Sequence, residues 1–266
     1  MTADTLEFGI STTVLREHPV SYALEQIAQA GYKSAEVWTW HLERWDENPI
    51  MLGQHAHKLG LNLTMHAPVS KLNPTATDED EAIFSQRRIT EALELASAMG
   101  VKVVAVHPGK CSYDGEPVDE VWERFVIWVS ELDRKASRLG IKIGLELMER
   151  LPREIFMLPS DAARLMENNL PQIGLTIDTA HMNTHMPPIN FLQAINPEWI
   201  IHAHLSDNAP WRVHLPLGEG NIDLFTVLNY LGNIYNGVVS IEGSVPGEGE
   251  ELLRRNYAYL NKHGLI

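Results

Sequence analysis

The chain of 266 residues matches the usual size of one α/β barrel, although length alone leaves one or two domains open. Its 44% hydrophobic and 21% charged residues suit a globular protein with a large core and argue against disorder. A formal net charge of -14 repels phosphate backbones, and the basic pairs Arg87-Arg88 and Arg254-Arg255 read as solvated helix faces flanked by acids, so no nucleic-acid partner is expected.

Along the chain, helix-like amphipathic stretches end on glycine, proline or asparagine and give way to short apolar runs followed by polar loops. The runs predict strands over residues 8–11, 35–38, 61–66, 101–107, 141–147, 173–178, 199–205 and 238–242. A helix is predicted over 21–30, with Ser21 as its cap and Gly31 as its stop. Leu59-Gly60, Met99-Gly100 and Leu139-Gly140 each close an amphipathic segment just before a strand. No long linker or shift in composition interrupts the series, so residues 1–266 are expected to form a single domain. Alternating strands and helices in units of roughly 30 residues favour a closed (β/α)8 TIM barrel. A doubly wound open sheet is the rival, but Ser11-Thr12-Thr13 follows the first strand where a glycine-rich nucleotide turn would stand.

Compartment follows from two absences. The single cysteine, Cys111, cannot form an internal disulfide, and the amino terminus lacks a basic stretch followed by an apolar run. No apolar stretch approaches the roughly 20 residues that cross a bilayer. A reduced, cytoplasmic setting without a membrane partner is expected.

Barrel active sites lie at the carboxyl ends of the strands. There the sequence sets His66, His107, Glu146, Asp178, His204 and Glu242, on the third to the eighth strands in turn. A lone histidine before a loop is ordinarily structural, and a lone carboxylate there ordinarily caps the next helix. Six together in one mouth would be costly to bury without a positive charge among them, and a divalent cation supplies it. Mixed imidazole and carboxylate ligands suit zinc, manganese, iron or cobalt better than calcium, and leave magnesium open.

Several of these segments resemble the xylose isomerase-like barrels, a family of sugar epimerases and isomerases that also holds the endonuclease IV type of repair enzyme. The resemblance is carried by His107-Pro108-Gly109, Asp178-Thr179-Ala180-His181, His204-Leu205-Ser206-Asp207, the segment from His214-Leu215-Pro216 through Gly220-Asn221-Ile222-Asp223, and Ile241-Glu242. It implies one divalent metal held by Glu146, Asp178, His204 and Glu242, with Glu146 and Glu242 also serving as the acid/base pair. In the endonuclease branch a trinuclear zinc cluster adds residues matching His66, His107, His181 and His214, plus an aspartate whose place here holds Arg212. Arginine stays protonated and has no lone pair to offer zinc, so this departure weakens the nuclease reading.

The expected chemistry is proton transfer next to a carbonyl through a cis-enediolate, on a ketose, sugar phosphate or keto-polyol. Return of the proton to the opposite face epimerises; return to the neighbouring carbon isomerises. His66, His107, His181 and His214 are candidates for a second metal or for substrate contacts. Trp38, Trp40 and Arg212 are candidate substrate contacts, against the blander readings of loop packing and an exposed arginine. His202 reads as a packed histidine or a support for His204. Specificity is expected in the loops 71–80 and 110–118. A dehydratase or lyase of the same fold, a phosphodiester hydrolase and a catalytically silent metal-binding module are the alternatives. A homodimer is the default assembly.

Overall fold

The computed structural model describes residues 6–243, 245 and 247–266. Seven parallel strands run in chain order: β1 (Glu7–Ser11), β2 (Ser34–Trp38), β3 (Asn62–His66), β4 (Val103–Val106), β5 (Lys142–Glu146), β6 (Ile173–Asp178) and β7 (Ile200–Leu205). A two-stranded hairpin, β8 (Asp207–Ala209) and β9 (Arg212–Leu215), follows, and β10 (Val238–Ile241) then closes the barrel between β7 and β1. All eight predicted strands are present in a closed TIM barrel, five of them one to three residues shorter than expected and the first two one residue longer. His107 and Glu242 therefore stand just past their strands rather than inside them.

Side chains alternate across a strand, and residues paired in register share a side. Linking the pairs around the barrel puts Gly9, Ser34, Glu36, Trp38, His66, Ala105, Gly144, Glu146, Thr176, Asp178, His202, His204 and Ser240 on one side. That side is the bore. The opposite side carries Ile10, Val37, Met65, Val104, Leu145, Ile177, Leu205 and Ile241, all in the main hydrophobic cluster. The strand runs read as near-continuous apolar stretches because the bore is lined by small residues. It is polar wherever it approaches the mouth.

The helices cover the apolar side: α1 (Val20–Gln29), α2 (Thr39–Trp45), α3 (Pro49–Leu59), α4 (Glu79–Met99), α5 (Val118–Leu139), α6 (Pro159–Met166), α7 (Thr179–His185), α8 (Pro188–Gln193), α9 (Leu224–Ile234) and α10 (Gly249–Lys262). In α5 the buried Val121, Phe125, Val129, Leu132 and Ala136 recur at helical spacing and form its inner stripe. Each side chain of Val, Leu or Phe size buried in this way contributes about 1.5–3 kcal/mol. Gly60, Gly100 and Gly140 end α3, α4 and α5 with φ of 73°, 79° and 66°, the left-handed conformation the predicted stops require.

The start of α1 differs from expectation. Pro19, with φ -56° and ψ 152°, precedes the first helical residue, and Ser21 lies inside the first turn with no capping bond. The carboxylate of Glu47 fills that role, accepting from the N–H of Val20 at 2.5 Å and of Ser21 at 3.1 Å. A remote carboxylate satisfies two free donors and complements the helix dipole, which a local hydroxyl cannot match.

Arg87 and Arg88 lie on α4 and Arg254 and Arg255 on α10, each paired with glutamates as the flanking acids predict. Among the described residues no helix is long and apolar enough to cross a membrane. Cys111 is buried and unbonded.

Candidate active site and metal centre

The mouth is built from the last bore-facing residues of the strands and the first residues beyond them. Glu146, Asp178, His204 and Glu242 are all buried, and each offers a ligand atom within 4.8 Å of the others. Nδ1 of His204 is the hub, 3.3 Å from Oε1 of Glu146 and 3.5 Å from Oε2 of Glu242. In barrel order β7 and β6 lie between β10 and β5, so the two glutamates reach His204 from separated positions on the rim.

Asp178 does two jobs. Its Oδ1 accepts from the His181 N–H at 2.8 Å and so caps α7, as a strand-end carboxylate often does. Its Oδ2, also buried, has no hydrogen-bond partner. Oε1 of Glu242 is likewise buried without a partner, whereas Oε2 of Glu146 faces imidazole nitrogens alone.

The remaining histidines flank this group on two sides. On one, Nε2 of His107 and of His66 lie 3.2 Å and 3.5 Å from Oε2 of Glu146. His66 is oriented by a 2.7 Å bond from Nδ1–H to the Ala67 carbonyl and by Trp38, whose ring stacks on it at 3.9 Å between centroids. On the other, Nδ1 of His181 lies 3.2 Å from Oε1 of Glu146, while its Nε2 lies 3.2 Å from Nε2 of His214. His214 adopts φ 57°, a left-handed conformation uncommon outside glycine, and its Nδ1 lies 3.0 Å from Oγ of Ser206 and 3.8 Å from Oδ2 of Asp178.

Two other candidates stand apart from the cluster. Arg212 opens β9 on an exposed face, and Trp40 is part of α2, its ring tilted against His41. Trp38 differs from Trp40 because it is the last residue of β2, on the bore face, whereas the chain has turned into α2 by Trp40.

Electrostatics describe a cavity crowded with negative charge. Burial drives the Glu242 carboxyl well above the usual range, and the neighbouring Glu36, Glu146 and Asp178 push it the same way. Burial also opposes charge on Glu146, but His204 and His107 outweigh it and hold that carboxyl well below the usual range. For His204 burial favours the neutral ring, yet Glu242, Glu36 and Glu146 raise it well above an ordinary histidine. His107 and His214 are lowered chiefly by burial.

Sequence reasoning missed Glu36. It lies on β2, fully buried, with Oε1 3.1 Å from Nε2 of His204 and Oε2 3.3 Å from Nε2 of His202. The available signal was a lone charge inside Ala35-Glu36-Val37. Also unforeseen was Glu154, in the loop after β5, whose carboxyl burial pushes up to about 7 against the pull of Lys110. With His107, Lys110 and Pro68 it lines a cleft of about 50 Å³ beside the mouth. Asp207 is a third: this buried carboxylate accepts from the N–H groups of Asn208, Gly218, Gly220 and Ile222 and ties the hairpin to the following loop.

The donor set fits a divalent cation. Buried oxygens of Asp178 and Glu242 without donors would each carry a desolvation penalty, and the raised Glu242 and His204 are the response of a site with too little positive charge. One imidazole and three carboxylates suit a borderline or hard transition metal.

Comparison with known proteins agrees with this architecture. Residues 24–263 match the family described as Xylose isomerase-like TIM barrel, and the chain belongs to that family. An uncharacterized protein of Methanocaldococcus jannaschii is 30% identical over 253 residues, covering 89% of this chain and 83% of its own. The crystal structure of a D-tagatose 3-epimerase-like protein superposes with a TM-score of 0.77 at 29% identity, covering 96% of this chain and 98% of its own. A probable endonuclease 4 of Oleidesulfovibrio alaskensis is 26% identical over 175 residues, covering 61% of this chain and 57% of its own.

Proposed function

We propose that this protein is a divalent-metal-dependent isomerase or epimerase acting on a ketose, sugar phosphate or keto-polyol. The observation that carries the reading is the buried cluster of Glu146, Asp178, His204 and Glu242, each offering a ligand atom within 4.8 Å of the others, with Oδ2 of Asp178 and Oε1 of Glu242 left without a hydrogen-bond partner. One zinc, manganese, cobalt or magnesium ion would be held by these four residues. Bound there, the cation supplies electron withdrawal from a substrate carbonyl and its adjacent hydroxyl, which acidifies the C–H bond beside the carbonyl.

Glu146 and Glu242 are the acid/base pair of this reading. Each offers a carboxylate oxygen within 4.8 Å of the other, and they approach from β5 and from the end of β10, so both reach a small substrate held at the mouth. One takes the proton and leaves a cis-enediolate; the other returns a proton to the opposite face or to the neighbouring carbon. Trp38 offers an aromatic face to the C–H side of a sugar. Burial of the mouth keeps water from competing for the proton. The resemblance to a D-tagatose 3-epimerase-like protein along nearly the whole chain supports a ketose as substrate. The net charge of -14 and Arg212 oppose a nuclease.

The test is incubation with a panel of ketoses and keto-polyols in deuterated water, with and without added metal, followed by mass and configuration analysis. Carbon-bound deuterium that appears only with metal is the expected result. Its absence across the panel overturns the reading, net loss of water would assign a dehydratase instead, and incision of abasic DNA an endonuclease.

A further inference from the structure

We infer that Glu36 is a positioning residue for this site: its buried carboxylate accepts the Nε2–H groups of both His204 and His202, and so fixes His204 with Nδ1 turned to the cation. The inference rests on the metal reading above.

The two nitrogens of His204 face different surroundings. Nδ1 looks toward Glu146 Oε1 and Glu242 Oε2, while Nε2 looks away from the mouth toward Glu36 Oε1 at 3.1 Å. An ionised carboxylate can only accept, so the nitrogen facing it carries the proton, and in the neutral ring the lone pair is left on Nδ1. A carboxylate on the far nitrogen locks the ring's rotation and makes the near nitrogen a stronger donor to a metal.

His202 completes the arrangement. It lies two residues earlier on β7, on the same bore face, and its Nε2 is 3.3 Å from the other oxygen of Glu36. The two rings stand edge to face, 5.0 Å between centroids and 88° between planes, so the carboxylate meets one N–H on each oxygen. All three residues are fully buried. Because β1 and β10 lie between β2 and β7, the contact crosses part of the bore and ties His204 to a strand that does not pair with its own.

Metal affinity is measured by calorimetric titration of Mn²⁺ and Zn²⁺ into the metal-free wild type and Glu36→Gln. The amide keeps the shape but presents only one acceptor. We expect affinity to fall about 10–100-fold, while the metal-free variant still unfolds cooperatively. Equal affinity in the two proteins overturns the inference alone; no binding to wild type overturns the metal reading and the inference with it. A second measurement needs no variant: ¹⁵N-histidine spectra of the wild type loaded with ¹¹³Cd²⁺. Cadmium coupling to Nδ1 of His204, with its Nε2 still protonated, is expected. Coupling to Nε2 of His204, or to His202, overturns it.

Discussion

Nδ1 of His204 and Oε1 of Glu146 lie 3.3 Å apart across 58 residues of sequence, brought together by the pairing of β5 and β7 with the same strand. The contact places the ring of one strand against the carboxylate of another with β6 between them. Glu146→Gln and Glu242→Gln should each lower turnover by about 10²–10⁴-fold, the usual contribution of a positioned acid or base. Steady-state rates and exchange of substrate hydrogen with solvent check this; full exchange in either variant removes that residue from the proton path.

Removing metal should also lower stability, because Asp178 and Glu242 are left with buried oxygens that have no partner. At a cation concentration about 100 times the dissociation constant, binding adds about 2.7 kcal/mol to the folded state. Melting curves with chelator and with Mn²⁺ should therefore separate, the loaded protein melting higher. Coincident curves would show that no cation is bound.

Glu154 predicts a pH dependence. Burial holds its carboxyl at about 7 in the folded chain, above the ordinary 4.5, so between these values the folded state binds more protons than the unfolded one. Stability from this group is therefore present at low pH and is lost as pH rises through that window. In Glu154→Gln the loss is absent, so the melting temperature of the variant minus that of wild type should grow from pH 5 to pH 8. A flat difference would contradict the burial of this carboxyl.

Asp207 predicts a purely structural effect. Its four backbone donors include the N–H of Gly220, whose missing Cβ leaves room for the Asp207 carboxylate and the Asn208 backbone. Asp207→Ala orphans these donors and should destabilise the protein by about 2–4 kcal/mol, given about 1–3 kcal/mol for each buried donor left unsatisfied and partial rescue by water. Denaturant unfolding measures it, and a change under about 0.5 kcal/mol, the range of a neutral surface substitution, would contradict the assignment.

Much of this was legible in the sequence because its signals are local. The strands and the glycine stops at 60, 100 and 140 follow from periodicity and from backbone conformations available to few residues. The four-residue cluster followed from strand-end position, since each of the four is the last bore-facing residue of its strand or the first beyond it. What was missed depends on partners brought from afar. Glu36 gains meaning only when closure brings β2 within reach of β7, Glu47 caps α1 from 26 and 27 residues away, and Asp207 acts on a loop folded back over it. Parity alone would give Trp38 and Trp40 the same face; the helix that begins at Thr39, which was not foreseen, takes Trp40 out of the strand.

Anomalous diffraction from crystals grown with Mn²⁺ tests the central claim most directly. A strong peak within bonding distance of Glu146, Asp178, Nδ1 of His204 and Glu242 is predicted. Density for water alone among these residues, or a peak elsewhere on the chain, would contradict the account.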